Sequence, residues 1–249
     1  NGVAGVDDDN NGFVDDIHGY DFANDDGDPM DDNMHGTHVS GTIGARGDDG
    51  VGVVGVNWHV RIMGLKFITA AGSGTLDGAI KAIDYSIKMG AMLTSNSWGG
   101  GGKSQALEEA IQRARDAGQL FVAAAGNNGK DSDETPMYPA AYETENIISV
   151  AAVDRAGKLA DFSNYGANTV DIGAPGVDVV SSTPGGKYKA LSGTSMATPH
   201  VAGVVALLMS YDRTLNWEQL KTRLLKTSVP AEALRNKTST GGMLNAYAA

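Results

Sequence analysis

The stretch Gly193-Thr194-Ser195-Met196-Ala197-Thr198-Pro199-His200-Val201-Ala202-Gly203 is the most specific pattern in this chain, and it decides the fold. It leads into residues 201–209, which are too apolar for a surface helix and are predicted to form a helix through the core. Taken alone, Ser195 at the start of that helix is usually only an N-cap.

Outside this helix, strand-like and helix-like segments alternate without an internal repeat or a linker. The alternation predicts an α/β fold with a parallel sheet and crossover helices, in a single domain over residues 1–249. Strands are predicted at residues 60–68, 92–95, 120–124 and 147–152. Apolar spacing predicts three further helices: one through Leu76, Ile80, Ile83 and Ile87 that ends at Gly90, one capped by Ser104 with Leu107, Ile111 and Ala114 inward that ends at Gly118, and one from Asn216 with Leu220, Leu224 and Leu225 inward.

The chain carries a net charge of −11 and no cysteine. The lack of cysteine excludes a disulfide scaffold, a thiolate metal site and a cysteine nucleophile, and no apolar run is long enough for a transmembrane helix. The negative charge is concentrated in residues 1–45, which contain eleven Asp and no Lys or Arg. Nucleic-acid binding is therefore disfavoured. The acidic segment is either a solvated surface or a set of cation ligands.

Two further stretches carry candidate chemistry: His35-Gly36-Thr37-His38-Val39 and Ala123-Ala124-Ala125-Gly126-Asn127. The second follows a predicted strand, at the edge where open parallel sheets bind ligands. Together with the serine stretch, and in this order, they resemble the subtilisin-like serine protease (subtilase) family. Asn96-Ser97-Trp98-Gly99-Gly100 and Tyr138-Pro139 extend the resemblance, which covers the chain from about Asp7 to the C-terminus. It implies a cis peptide bond before Pro139.

The resemblance implies a serine endopeptidase with a doubly wound, mainly parallel sheet and helices on both faces. Ser195 then corresponds to the nucleophile, which needs a base to take its proton. His35 corresponds to that base, because an imidazole with a pKa of about 7 can take the serine proton and return it to the leaving amine. His38 is a structural neighbour. Asn127 corresponds to the side-chain donor of the oxyanion hole, in place of a simple turn asparagine.

By the same resemblance, an extended substrate lies between two backbone segments with which it can pair. These segments are Gly72-Ser73-Gly74 and Ser97-Trp98-Gly99-Gly100. The pocket for the side chain before the scissile bond is bordered by Gly99 and Gly126, with Met137 near its floor. An apolar floor predicts a preference for large apolar side chains and broad specificity otherwise.

Spacing within the acidic segment favours calcium over a solvated surface. The pattern Asp7-x-Asp9-x-Asn11-Gly12-x-x-x-Asp16 resembles the first half of a calcium loop, which Asp15 or Asp16 must close. A second set resembles a calcium site found in some subtilases just before the catalytic histidine, and comprises Asp21, Asn24, Asp26, Asp28 and the Met30 carbonyl. A third and weaker candidate resembles the family's tight-binding loop: Gly47-Asp48-Asp49-Gly50-Val51-Gly52-Val53.

The family's catalytic aspartate has no counterpart in the sequence. In the family it ends a central strand within a short motif of Asp, Ser or Thr, and Gly, and no such motif precedes His35. The chain is therefore expected to lack that first central strand, as if truncated relative to the family, and residues 3–6 imitate it only poorly. Because the strand lies between those at residues 60–68 and 92–95, we expect two buried strand edges without partners.

Two functions follow from these observations. The first is an active, secreted endopeptidase acting on proteins or peptides, in which an upstream peptide or a second chain supplies the missing strand. The second is a catalytically impaired or inactive calcium-stabilised module, or an autolytic fragment. Retention of Ser195, His35 and Asn127 favours the first, and the missing Asp favours the second.

Overall fold

The computed structural model describes residues 3–249, whose strands form a main sheet, a small parallel pair and a hairpin. The strands are β1 (Gly19–Asp21), β2 (Gly64–Lys66), β3 (Leu93–Asn96), β4 (Leu120–Ala124), β5 (Ile147–Val153), β6 (Ile172–Pro175), β7 (Val179–Thr183), β8 (Lys187–Leu191), β9 (Val229–Pro230) and β10 (Gly242–Met243). The helices are α1 (His35–Gly44), α2 (Leu76–Lys88), α3 (Gln105–Asp116), α4 (Thr194–Tyr211) and α5 (Trp217–Lys226), with a short 3₁₀ turn at Glu232–Leu234.

The main sheet has the strand order β3-β4-β5-β6-β10-β9, with β9–β10 antiparallel and the other pairs parallel. Strands β4 and β5 are buried along their whole length, as expected for strands covered on both faces. β1 and β2 form the separate parallel pair, and β7 and β8 form the antiparallel hairpin. The mainly parallel sheet with helices confirms the predicted α/β class.

Helices cover both faces of the main sheet. On one face α4 packs against β3 to β6, and its apolar side chains share a core cluster with Val122, Ile148 and Ile172. On the other face α2 and α3 pack on Phe121 and Ile147. Each large side chain buried in this way stabilises the fold by roughly 1.5–3 kcal/mol. The predicted core helix at residues 201–209 is confirmed as part of α4.

Local signals at helix ends are also confirmed. Ser104 Oγ accepts a hydrogen bond from Leu107 N at 3.4 Å, and Asn216 forms a reciprocal capping box with the side chain of the third helical residue. Gly90 and Gly118, just beyond α2 and α3, have φ values of 71° and 86°. This left-handed conformation ends a helix at glycine without a Cβ clash.

The strand predicted at residues 60–68 is wrong in its extent, because only Gly64–Lys66 form β2. β2 pairs with the three-residue strand β1 along one edge, and within residues 3–249 its other edge has no ladder partner. A strand with so few ladder hydrogen bonds has little to keep it extended beyond them. β2 is therefore shorter than predicted because its only ladder partner in the described residues is a short strand.

β2 and β3 are not paired with each other in the described residues, which agrees with the unpaired edges expected from the sequence. β3 ends the main sheet, and its outer edge has no ladder partner in the described part of the chain. The rings of Phe67 and Trp98, directly beyond the two strands, lie 5.1 Å apart in an edge-on contact. The strands are therefore neighbours that meet at their carboxyl ends without pairing.

Candidate active site

The serine stretch forms the N-terminus of α4, with Ser195 as the second residue of the helix. Thr194 is fully buried, and Ser195 is half-buried. The N–H groups in the first turn of a helix have no intrahelical acceptor. They carry a partial positive charge, so negative charge in front of Ser195 would be stabilised.

Pro199 inside α4 determines the partner of the Ser195 carbonyl. Proline has no N–H, so the carbonyl oxygen four residues earlier loses its helical donor. That oxygen belongs to Ser195, and it accepts a hydrogen bond from Ser97 Oγ at 2.8 Å. The Ser195 hydroxyl in turn donates to Ser97 O at 3.3 Å. These two bonds tie the start of α4 to the segment that follows β3.

The side-chain amide of Asn127 is oriented by Thr194. Asn127 lies exposed in the loop after β4, and its Oδ1 accepts from Thr194 N at 2.8 Å and from Thr194 Oγ1 at 2.9 Å. The same hydroxyl accepts from Gly126 N at 3.2 Å. The two bonds engage Oδ1, and a Cβ on Gly193, which precedes Thr194, would lie 3.6 Å from Asn127 Nδ2. Thr194 is part of the serine stretch, but the sequence did not indicate that it orients the Asn127 amide.

His35 begins α1, and Asp31 organises the turn in front of it. The Asp31 carboxylate accepts from the backbone N–H groups of Asn33, Met34 and Thr37, and from Thr37 Oγ1, at 2.6–2.9 Å. Burial acts to raise the pKa of Asp31, but these bonds hold it below its ordinary value. Met34 has a φ of 135°, a strained conformation for a residue with a Cβ. His35 therefore follows a turn that is strained and tightly hydrogen-bonded.

Buried polar contacts hold α1 against the β7-β8 hairpin. His38 is fully buried, and its Nε2 lies 3.0 Å from both Val179 O and Lys189 O. Ser181 Oγ donates to His38 O at 2.7 Å. α1 also packs directly against α4. The helices that begin with His35 and near Ser195 are therefore docked on each other.

The His35 ring lies in a partly buried environment that favours its neutral form. Burial lowers the pKa of His35 below its ordinary value, and the Asp31 carboxylate partly offsets this shift. A neutral imidazole is the form that a general base requires. Because the single hydroxyl proton of Ser195 is donated to Ser97 O, it is not directed at His35 in this structure. Ser195, Ser97 and Asn127 thus share one contact network, and His35 begins the adjacent helix.

The two segments predicted to bind substrate lie beyond the carboxyl ends of β2 and β3. Residues 72–74 form an exposed turn, in which Thr69 N donates to the carbonyl of the middle residue at 2.9 Å. Residues 97–100 follow β3, and Trp98 packs edge-on against Phe67 near the first segment. Both segments expose backbone that an extended peptide can pair with.

The residues predicted to border the specificity pocket are in contact with each other. A Cβ on Gly126 would lie 3.1 Å from Met137 Cγ, and a Cβ on Gly99 would lie 3.6 Å from the same atom. The Met137 side chain therefore lies between the two glycines. The Tyr138–Pro139 peptide bond is cis, as predicted.

The first acidic set converges on Asn11. Asn11 N lies 3.0 Å from an oxygen of Asp7 and 3.1 Å from an oxygen of Asp9, and Asn11 Nδ2 donates to Asp9 at 3.2 Å and to Asp16 at 2.7 Å. Asp16 also accepts from Tyr85 OH at 2.5 Å. Carboxylate and amide oxygens are the ligands that calcium prefers. These carboxylates are therefore gathered around one common partner, which here is an amide.

The second acidic set is partly engaged by a lysine. Asp21 is buried, and its Oδ2 accepts from Lys66 Nζ at 2.5 Å and from Asn24 Nδ2 at 2.8 Å. Burial acts to raise the pKa of Asp21, but these hydrogen bonds, led by that from Lys66, lower it. Asp26 and Asp28 are exposed, and each accepts from the backbone N–H two residues ahead. A cation at this site would compete with Lys66 for Asp21.

The described structure has no preformed metal centre. Among residues 3–249, no three His, Cys, Asp or Glu side chains are placed so that they could hold a metal ion. In the loop 47–53, Asp49 accepts from Val51 N at 2.9 Å. The donor chemistry of the acidic sets fits calcium, but binding would require them to exchange their present hydrogen bonds. Within the same range, no helix combines the length and the apolar character needed to cross a bilayer.

Comparison with known proteins gives consistent matches. The sequence matches the model of the subtilase family over residues 3–247. It is 47% identical over 197 residues to a thermophilic serine proteinase from Bacillus sp. (strain AK1), covering 79% of this chain and 48% of that protein. It is 41% identical over 225 residues to an intracellular serine protease from Paenibacillus polymyxa, covering 86% of this chain and 68% of that protein. A solved structure of a cold adapted subtilisin-like serine proteinase matches with a TM-score of 0.78 and 38% identity, covering 91% of this chain and 78% of that one.

The chain spans about half the length of the thermophilic proteinase. The family match nevertheless includes the histidine, asparagine and serine stretches and almost every residue between the two termini. The structural match agrees with the mainly parallel sheet covered by helices. The chain therefore belongs to the subtilase family of serine proteases.

Proposed function

We propose that this chain is the catalytic domain of an endopeptidase that hydrolyses proteins or peptides, with Ser195 as nucleophile, His35 as general base and Asn127 as oxyanion donor. The observation that carries the proposal is the Asn127 amide, whose Oδ1 is held by Thr194, the residue directly before Ser195. Donors fixed before the reaction are usually the largest single contribution to such catalysis. Stoichiometric labelling of Ser195 by a serine-directed phosphonate tests the proposal.

The reaction begins when Ser195 Oγ bonds to the scissile carbonyl carbon and its proton passes to the neutral His35 ring. For this step the hydroxyl exchanges its bond to Ser97 O for one to His35. The carbonyl oxygen becomes an anion, which Asn127 Nδ2 and the N–H groups at the start of α4 stabilise. The His35 cation then protonates the leaving amine as the C–N bond breaks. Water deprotonated by the same ring hydrolyses the acyl-enzyme.

The substrate preference that we propose follows from the pocket floor. The side chain before the scissile bond enters between Gly99 and Gly126, against the Met137 thioether. A thioether is apolar and adaptable, so it favours large apolar side chains of different shapes. Elsewhere the substrate is held through its backbone by residues 72–74 and 97–100, which places few demands on its side chains.

Met137→Glu is expected to remove the preference for apolar side chains. A carboxylate at the floor must lose water when an apolar side chain enters, so kcat/KM for a peptide anilide ending in Phe should fall about 10–100-fold. The kcat/KM for a matched anilide ending in Arg should rise relative to that for the anilide ending in Phe. Met92→Glu, at an exposed methionine just before the amino end of β3 and so at the opposite end of that strand from Gly99, serves as the control and leaves the ratio unchanged. A Phe-to-Arg ratio that Met137→Glu does not alter would contradict the assignment.

We propose further that the third member of the triad comes from a segment outside residues 1–249, either an upstream peptide or a second chain. The unpaired edges of β2 and β3 support this proposal. An extended segment that paired with both edges would give their backbone groups hydrogen-bond partners. Residues 3–6 do not supply it, since they form a turn in which Val6 N donates to Val3 O at 3.0 Å.

The second candidate function is a catalytically impaired or inactive subtilase-like module, or an autolytic fragment, stabilised by calcium. Two observations favour it: no Asp motif precedes His35, and the Ser195 hydroxyl is bonded to Ser97 O. In subtilisin, a member of this family, loss of the triad Asp alone lowers kcat about 3 × 10⁴-fold. Labelling separates the two functions, since a phosphonate that modifies Ser195 stoichiometrically refutes the inactive module.

Calcium is proposed as the cofactor of the acidic N-terminal segment. The eleven Asp of residues 1–45 have no Lys or Arg among them, so bound cations would relieve their mutual repulsion. The first set, gathered around Asn11, supplies at least three carboxylates and an amide oxygen. Extracellular calcium modules have Kd values of roughly 0.1–1 mM. We propose that the protein is secreted and that its calcium sites have affinities in this range.

Removal of calcium is expected to lower the melting temperature. Calcium at 100 times its Kd stabilises a folded state by about 2.7 kcal/mol per site, which for a chain of this size corresponds to about 5–10 °C. Thermal unfolding in excess chelator and in calcium at about 100 times that Kd, on the order of 10–100 mM, measures the shift. Asp26→Ala should imitate part of the chelator effect, and Asp161→Ala, at an exposed aspartate outside the segment, should not. Equal melting temperatures with and without calcium would make the segment only a charged surface.

A further inference from the structure

The side chain of Asn164 is hydrogen-bonded to the backbone on both sides of Asn127. Asn164 is 1% exposed, and its side chain is bonded at both ends. Nδ2 donates to Ala125 O at 3.0 Å, and Oδ1 accepts from Asn128 N at 3.0 Å and from Lys130 N at 3.1 Å. The three side-chain bonds therefore reach the loop on both sides of Asn127.

The backbone of the same segment continues this contact. Asn164 N donates to Gly126 O at 2.9 Å, and Gly129 N donates to Phe162 O at 2.8 Å. Asn127 is exposed, and Thr194 holds it through the oxygen of its side chain. That contact sets the direction of the amide, but the distance of the amide from Ser195 depends on where the backbone lies. The Asn164 side chain bonds to this backbone on both sides of Asn127.

The amide of Asn164 also lies directly against Gly126. Gly126 has a φ of 111°, and a Cβ there would lie 2.5 Å from Asn164 Nδ2. The same glycine faces Met137 in the proposed specificity pocket. The Asn164 amide therefore packs against the glycine that directly precedes Asn127.

We propose that Asn164 is a positioning residue for the reaction, which holds the loop 125–130 so that the Asn127 NH₂ group lies at a fixed distance from Ser195. This inference rests on the proposed role of Asn127. The oxyanion forms only in the transition state, whereas the backbone contacts of the substrate exist before it. Loss of Asn164 should therefore lower kcat more than it raises KM. A misplacement of about 1 Å is sufficient for a rate loss of about 100-fold.

The test compares Asn164→Ala with Asn127→Ala and with the double variant. Asn164→Ala is expected to lower kcat about 10–100-fold with KM changed less than about threefold. Asn127→Ala alone should lower kcat about 10²–10³-fold. The double variant should be no slower than Asn127→Ala, because a residue that acts through Asn127 then has nothing left to position.

Asn146→Ala is the matched control. Asn146 is equally buried, and its Nδ2 donates to Gln119 O at 2.9 Å at the opposite end of β4 from the loop. This variant should lose stability and keep its kcat. Unchanged kcat in Asn164→Ala, or losses that multiply in the double variant, would overturn the proposal.

Hydrogen exchange gives a second readout that does not depend on activity. The N–H groups of Asn128 and Lys130 should exchange faster in Asn164→Ala than in the parent and in Asn146→Ala, because they lose their acceptor. Unchanged exchange would also overturn the proposal. If the parent protein shows no turnover that a phosphonate inhibits, the proposed function is wrong. The hydrogen-exchange result would still decide whether Asn164 holds the loop 125–130.

Discussion

Ser195→Ala is expected to abolish hydrolysis, which is the largest effect that we expect for a single substitution. Without Oγ no acyl-enzyme forms, and His35 has no hydroxyl to deprotonate. In subtilisin, a member of the same family, loss of the nucleophile lowers kcat about 2 × 10⁶-fold, and we expect that order in a form with the complete triad. In the 249-residue chain the loss should be about 70-fold, because absence of the triad Asp already costs about 3 × 10⁴-fold and the two losses do not multiply. Turnover of a peptide anilide and intact mass after phosphonate treatment measure it: the parent should gain one label and the variant none.

The matched control lies on the same helix. Ser210 is near the end of α4, where its exposed hydroxyl donates to Leu207 O at 2.7 Å, so Ser210→Ala should keep full turnover. Ser195→Ala should keep its melting temperature, because the bond it loses is a long one of 3.3 Å to Ser97 O. Turnover in Ser195→Ala within tenfold of the parent would exclude Ser195 as the nucleophile.

A longer form of the protein, with a strand that ends in Asp ahead of residue 1, is expected to turn over about 10⁴-fold faster than the 249-residue chain. The carboxylate would hold the His35 ring in the productive tautomer and stabilise its cation. The strand itself would pair with the free edges of β2 and β3. Each hydrogen bond formed there contributes about 0.5–1.5 kcal/mol, so the longer form should also melt at a higher temperature.

The pH dependence should change in the same experiment. Burial lowers the pKa of His35 in this chain, and a neighbouring carboxylate would raise it. Because the base acts in its neutral form, turnover rises as pH increases through that pKa. The acid limb of kcat/KM should therefore lie at higher pH in the longer form.

The matched control for the strand is the longer form with its Asp changed to Asn. It keeps the strand and loses the carboxylate, so it should retain the higher melting temperature and turn over as slowly as the shorter chain. Equal kcat and the same acid limb in the 249-residue chain and the longer form would show that no upstream segment completes the triad.

Local sequence patterns determined the helix ends, the α/β class and the identity of the candidate catalytic residues. Ser104 and Asn216 are caps, and Gly90 and Gly118 end helices. These features depend on bonds between residues a few positions apart, so a short stretch of sequence specifies them. The apolar stretch 201–209 likewise specifies a buried helix, because it has no polar face to expose. The extent of β2 was not predictable in this way, since a strand depends on partners elsewhere in the chain.

Tertiary structure alone decided how the candidate site is held together. Thr194 orients the Asn127 amide from 67 positions away, and Ser97 bonds to Ser195 across 98 positions. Asn164 holds the loop 125–130, which contains Asn127. Tertiary structure also decided that Asp21 bonds to Lys66, 45 positions away. Each of these contacts exists only after chain closure brings distant segments within about 3 Å, the reach of a hydrogen bond. A motif can name the residue that donates a hydrogen bond, but the packing of distant segments determines the direction in which it donates.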